Sequence, residues 1–375
     1  MTPVRKIRKT VTTKTTGRGQ LLFRFFWVLF VCGFGRARGQ ETSPELALMH
    51  SNAKKYAAKG NTAEAIIIYK QLISLSPRHT AYETELAGLY LKNSYYNNAT
   101  ETILPVVAGA GVTDSAYRIL IEATEGKKDM RRAERYMDAG LKRFPQSALL
   151  CLVKGNLELQ YGRKESARTF FIKGIAVNPE FAENYKEAAM TYEPDEDIMW
   201  SLLYMETYLN LPHDTAGDEI LKRVLYNNWK VMFDGLVGFN GTNTPVPSRK
   251  DSFETACKSI FAGLTPVMSD GLSAENLAMV RIRLITNWIK NYKATMPYSL
   301  FTYHETLIRQ GWFDIYNEWL FGAAESKAQH EAWKQFHAGD KERYLIWRES
   351  NRFIPSFTDD YNPQHSIKRK KNKKR

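Results

Sequence analysis

Residues Met49 to Pro77 read MHSNAKKYAAKGNTAEAIIIYKQLISLSP, and the copying of this stretch along the chain decides the fold. It holds two amphipathic runs either side of Gly60. Apolar residues such as Ala65, Ile66, Tyr69 and Leu72 fall at helical spacing, too few for one run to bury itself alone. Counting forward in steps of 34, Pro77 is followed by Gly111, Pro145 and Pro179, and Ala65 by Ala99, Ala133 and Ala167. A third column, Ala53, Ala87, Ile121 and Gly155, is small or apolar, and a fourth, Tyr69, Ile103, Met137 and Phe171, is large and apolar. Units of this kind bury a continuous core only by stacking, and at least three are needed for stability.

These columns resemble the tetratricopeptide repeat, a 34-residue helix–turn–helix. The resemblance assigns the small residue of the Ala53 column to close approach of helix A to helix B. It assigns the alanine of the Ala65 column to the reverse approach, the bulky residue of the Tyr69 column to filling the gap, and Pro77, Pro145 and Pro179 to ending each unit. Four copies are clear. A degenerate fifth from Ala182 keeps Tyr185, Ala188, Ala189 and Tyr192, then slips by one residue before Pro212. The expected fold class is therefore all-α: a tetratricopeptide-type solenoid followed by a smaller helical C-terminal domain.

Working outward, the boundaries expected are a leader at 1–39, the solenoid with a capping helix at 40–237, a linker at 238–250, an aromatic-rich helical domain at 251–365, and a disordered basic tail at 366–375. The cap is Asp218 to Phe233. The linker is dense in Gly, Pro, Asn, Ser and Thr. After it, helices are expected at Ser252–Leu264, Ser273–Tyr292 with Ser273 as N-cap, Tyr298–Gln310, Trp312–Phe321, Lys327–His337 and Lys341–Ser350, with Gly322 and Gly339 interrupting. Trp288, Trp312, Trp319, Trp333 and Trp347 crowd this half. They read as core packing between short helices, the alternative being an aromatic site for a glycan or peptide.

Charge separates the ends from the body. The chain carries 53 Lys and Arg against 40 Asp and Glu, a formal +13. Nine of the basic residues precede residue 40 and seven lie between Lys368 and Arg375, leaving 37 basic against 40 acidic residues elsewhere. The body has no basic excess to track a phosphate backbone, so no specific nucleic acid is expected as a partner. The basic start, the apolar run Phe25 to Phe34 and Ala37-Arg38-Gly39 have the three-part order of a secretory leader. Export to the periplasm, outer envelope or secreted space is the expectation; uncleaved, the same segment would be a membrane anchor. The tail could touch an anionic surface, and its composition also matches a nuclear localisation cluster, which competes with the leader as an address. The whole, an exported repeat chain with an aromatic-rich second half, is similar to envelope proteins of Bacteroidota-type bacteria.

The resemblance implies a protein or peptide partner on the inner face of the A helices. By register the inward positions are His50, Lys54 and Ala57, then Thr84, Gly88 and Leu91, then Arg118 and Glu122, then Leu152, Asn156 and Leu159, and finally Lys186 and Met190. The family's carboxylate clamp needs Lys and Asn on successive A helices. His50, Lys54 and Leu152 break that pattern, so a chaperone C-terminus is not the expected ligand. No glycine-rich phosphate loop, HExxH, GxSxG or CxxC is present. His304 beside Glu305, and His330 seven residues before His337, lack a third metal ligand or a nucleophile. No cofactor, metal or catalytic residue is therefore assigned, the reading is non-enzymatic, and the alternative is an enzyme or glycan-binding module in the second half. Cys151 and Cys257 read as buried thiols, with a disulfide between them open.

Overall fold

A computed structural model describes residues 43–192, 198–237, 253–264 and 271–362, the side chains of 235–237 excepted. The expected leader, linker and basic tail lie outside these residues. The chain divides after Leu48. Of the first unit only Ser43–Leu48 is described, and the architecture below is that of the second.

Among the described residues there are seventeen helices and no strand. They are α1 (Pro44–Ala58), α2 (Thr62–Leu75), α3 (Thr80–Lys92), α4 (Tyr96–Ala108), α5 (Asp114–Gly126), α6 (Met130–Arg143), α7 (Ala148–Gln160), α8 (Lys164–Val177), α9 (Ala182–Met190), α10 (Ile198–Asn210), α11 (Asp218–Val237), α12 (Phe253–Ala262), α13 (Ala274–Asn291), α14 (Ser299–Arg309), α15 (Phe313–Glu325), α16 (Lys327–Phe336) and α17 (Ala338–Ser350). The odd members of the first ten are A helices and the even members B helices, five helix–turn–helix units in chain order.

Backbone hydrogen bonding closes the first four A helices in the same way. The amides of Asn61, Tyr95, Asp129 and Arg163 reach back to the carbonyls of Tyr56, Tyr90, Thr124 and Glu158, at 2.9, 2.9, 3.2 and 2.9 Å. The residue before each of these amides is left-handed: Gly60, Ser94, Lys128 and Gly162 have φ of 80, 61, 60 and 71°. This is the Schellman closure, which satisfies carbonyls a helix end would otherwise leave bare. Three of the B helices, α2, α6 and α8, end on Ser76, Phe144 and Asn178, whose amides close on Leu72, Gly140 and Gly174. Pro77, Pro145 and Pro179 follow at once, and having no N–H they cannot extend the helix.

The sequence columns become packing layers. Ala65, Ala99, Ala133 and Ala167 are wholly buried, as are Ala53, Ala87 and Ile121; Tyr69, Ile103, Met137 and Phe171 fill the space between them. Gly155 departs from its column for a steric reason. A Cβ there would lie 2.2 Å from Cε1 of Phe171, so the largest filler faces the smallest partner. Successive A helices touch, α3 with α5, α5 with α7 and α7 with α9, whereas successive B helices make at most marginal contact. A stack pinched on its A side curves toward it, which makes the A-helix face the concave one.

The helices after the linker begin and end close to their expected positions. Ser273 caps α13 and exchanges hydrogen bonds with Asn276 in a capping box. Two expected interruptions are corrected. Gly322 lies inside α15, because a side chain there would run into the His330–Glu318 pair that crosses over it. Gly339 lies in the first turn of α17, where the backbone amides have no intrahelical partner anyway. One apolar core runs from Ala167 in α8 through α9, α10 and α11 to Tyr344 in α17 and Phe353 beyond it. A separate core, Ala87 to Val153, serves the earlier units. Phe253 of α12 stacks among Trp200, Trp288, Tyr298, Phe301 and Tyr361. Trp288 is buried, and Trp312, Trp319 and Trp347 pack against the same core. Cys151 and Cys257 are free and buried.

The left-handed column supplies a test. Glycine suits φ near +60° without the Cβ clash, while Lys128 pays that penalty. Lys128→Gly should therefore stabilise the chain by about 0.5–1 kcal/mol, read as a raised urea midpoint with an unchanged slope. Gly162→Lys should lower the midpoint.

Candidate functional site

The concave face is built from one stripe of each A helix, and its charges are largely settled among themselves. His50 Nε2 lies 2.6 Å from Glu85 Oε2, Lys54 Nζ lies 3.4 Å from Glu85 Oε1, and the Tyr69 hydroxyl donates to Glu85 at 2.9 Å. Burial would raise the Glu85 carboxyl, but hydrogen bonds from His50 and Tyr69 and the charges of His50 and Lys54 hold it below its ordinary value. Thr84 donates back to the Thr80 carbonyl at 2.8 Å. Arg118 pairs with Glu122 along α5 at 2.8 Å. Lys186 pairs with Glu187 at 3.1 Å and sits over the Tyr208 ring. What faces solvent between these pairs is Asn156, Leu159 at 37% exposure and Met190 at 51%. Leu91 and Leu152 are half-buried against the core.

The sequence register placed these residues on one face, but it missed Glu85, Glu125 and Gln160. Glu85 lies one residue beyond the inward position of Thr84, and its role shows only when α1 and α3 are side by side. Glu125 accepts from Gln160 of the next A helix at 3.3 Å, while its Oε1 is buried without a partner. Burial pushes its carboxyl up to about 7, with Gln160 opposing and Glu122 adding to the rise.

A second polar group lies deep in the C-terminal core. Glu206 of α10 receives the Arg281 guanidinium of α13, the His304 imidazole of α14 at 2.8 Å and the Tyr316 hydroxyl of α15 at 2.7 Å. Arg281 also donates to Asn317 at 2.8 Å, and Asn210 donates to the Tyr316 oxygen at 2.7 Å. The rings of Phe313, Tyr316 and Phe321 surround the guanidinium. Burial alone would raise the Glu206 carboxyl, yet the charges of Arg281 and His304 with the bonds from His304 and Tyr316 hold it at about 2. Burial lowers His304 below its ordinary value, and Arg281 adds to that against the pull of Glu206.

His304 was the sequence's nearest approach to a catalytic residue, and it is closed off. The cavity beside it, lined by Glu206, Arg281 and Trp229 among others, measures about 10 Å³, room for a single water. Its neighbour Glu305 is held by Lys293 and Arg309, each at 2.5 Å. His330 pairs with Glu318 at 2.7 Å and His337 lies 3.4 Å from Asp340. Among the described residues no three His, Cys, Asp or Glu side chains are placed to hold a metal ion, and no helix is long and apolar enough to cross a membrane.

Parts of known structures are similar to part of this chain. TTC0263, a tetratricopeptide-repeat protein of Thermus thermophilus, is 18% identical with a TM-score of 0.41, over 49% of this chain and 98% of its own. PilF of Pseudomonas aeruginosa is 14% identical with a TM-score of 0.40, over 50% and 85%. PilW, described as a widely conserved type IV pilus biogenesis factor, is 14% identical with a TM-score of 0.40, over 54% and 97%. No family model matches the chain, and no curated protein matches it. The repeat architecture rests on the 34-residue columns and their shared geometry.

Two substitutions separate these groups. Glu206→Gln leaves the Arg281 charge buried without its counter-ion and should destabilise by about 3 kcal/mol or more, against about 1 kcal/mol or less for Arg118→Ala on the surface, both by urea titration. Because the Glu206 carboxyl lies below its unfolded value of 4.5, its contribution is complete above that pH and is lost as pH falls from about 4.5 toward 2; the variant should lose this acid dependence. Glu125 has the opposite sign. Its raised carboxyl disfavours the fold as pH climbs from 4.5 through 7, so Glu125→Gln should gain stability at pH 8, on the order of 1 kcal/mol after solvent screening, and nothing at pH 4.

Proposed function

We propose that the chain is a non-enzymatic scaffold that holds a peptide or an extended segment of a protein against the concave A-helix face. The observation that carries this reading is the composition of that face. His50, Lys54, Arg118 and Lys186 are matched by Glu85, Glu122 and Glu187, which leaves Leu159, Met190 and Asn156 as the exposed uncharged groups of the stripe. A face of this kind suits apolar side chains with a few backbone hydrogen bonds, whereas a phosphate backbone would need a basic stripe. The helices after residue 250 buttress the last repeats through the shared core and position the face. Export to the cell envelope rests on the three-part leader, and contact with an anionic surface rests on the basic tail. Both are features of composition.

The test uses the full chain panned against a random-peptide library, with isolates titrated by fluorescence anisotropy. The double variant Leu159→Asp and Met190→Asp replaces exposed side chains and should weaken those isolates by at least ~10-fold with an unchanged melting temperature. Phe336→Asp, at a more exposed position on α16, should leave them unchanged. Retention in the first variant together with loss in the second would move the binding face away from the A helices.

A further inference from the structure

A pocket of about 160 Å³ opens where the segment after α17 crosses the end of the solenoid. Its floor is made by Tyr185 of α9, Tyr204 of α10 and Tyr298 before α14, all buried. Phe353 and Pro355 form a wall. At the mouth stand Asp360 and Phe357, the latter 72% exposed. Asp359 lies half-buried between mouth and floor, accepting the Ser299 amide at the start of α14 at 3.1 and 3.2 Å. Among the described residues no Lys, Arg or His lines the pocket. None of its residues belongs to the concave-face stripe, so it is a separate site.

We propose that this pocket binds an organic cation the size of one arginine or lysine head group. Three features carry the assignment. Aromatic rings present a negative face to a cation, and five of them line this pocket. Two carboxylates complement the charge, and a guanidinium can stack on a ring while bonding a carboxylate, the pairing in which arginine excels. Third, Tyr185, buried in the floor, sets a phenol ring and its hydroxyl among the lining groups. Size sets the limit, since the volume falls below the ~300–1,000 Å³ of pockets that take whole drug-sized molecules. The adjoining hollow of about 430 Å³ shares Tyr298, Phe353, Ser356 and Asp359 and offers a path for the rest of a chain that carries the cation. Burial raises the Asp359 carboxyl above its ordinary value, opposed by its bonds to Ser299 and Ser356. A cation beside it would offset that burial.

The proposal is tested on the full chain by calorimetric titration and ligand-observed NMR. The probes are methylguanidinium chloride, methylammonium chloride and the blocked tripeptide acetyl-Gly-Arg-Gly-amide, with acetyl-Gly-norleucine-Gly-amide as the neutral control and sodium acetate as the anionic one. Saturable binding of the cations, and none of either control, is expected. Asp360→Asn and Phe357→Ala alter exposed side chains at the mouth and should each weaken binding by about five-fold at an unchanged melting temperature. They spare Asp359, whose loss would also uncap α14. Tighter binding of the arginine tripeptide than of methylguanidinium assigns the site to a peptide side chain, and the reverse order assigns it to a free small cation. Equal binding of the neutral control, absence of saturable cation binding, or affinity unchanged within about two-fold in both variants would overturn the proposal. The concave-face variant at Leu159 and Met190 should bind the cations normally, so failure of one site is distinguishable from failure of the other.

Discussion

The carboxylate of Glu206 gathers donors from three later helices: Arg281 from α13, His304 from α14 and Tyr316 from α15. Glu206 belongs to α10, the last helix of the repeats, so this contact joins the two halves of the chain. A charge buried this deeply is tolerable only when it is paired and hydrogen-bonded. That demand sets the mutual placement of four helices more sharply than apolar packing would, since Leu and Phe slide past one another and an ion pair with a fixed hydrogen-bond fork does not. The aromatic rings around Arg281 then find their places, with Phe313, Tyr316 and Phe321 covering the guanidinium.

The solenoid depends on this junction at its open end. A repeat stack exposes an apolar face at each terminus, and the last face must be covered. Here α11 lies against α10 and α15, and the cover continues through α13 and α14 into a core shared with α8, α9 and α10. The consequence for function is positional. The stripe of A-helix residues ends on α9, at Lys186 and Met190, and α9 is held in the same core that Glu206 organises. The segment after α17 completes the arrangement, reaching back to give Asn362 to the Tyr192 hydroxyl at 2.6 Å and Asp359 to the start of α14. Its passage over α9 and α10 creates the aromatic pocket.

The repeats were legible in the chain because each column answers a local steric question. Ala65 and its equivalents must be small where two helices cross closely, and Tyr69 and its equivalents must be large enough to fill what remains. Both demands recur every 34 residues and leave a periodic trace. The left-handed turn residue recurs equally strictly, but Ser94 and Lys128 conceal it, since only Gly60 and Gly162 have the composition that signals φ near +60°. The same counting gives an expected stripe on the A helices but not its energetics, because the partner that settles His50 and Lys54 is Glu85, 35 residues beyond His50.

What the sequence by itself determined, then, is what near neighbours set: the helices and the stacking register of the repeats. Only the tertiary structure decided which polar residues are buried together. Glu206 and Arg281 are 75 residues apart, Glu206 and Tyr316 are 110 apart, and Tyr185 and Asp359 meet in one pocket from well-separated parts of the second unit. No periodicity links such residues. Each has an ordinary composition-level reading as a solvated charge or a core ring, and their shared role exists only because burial removes water and leaves them no other partners.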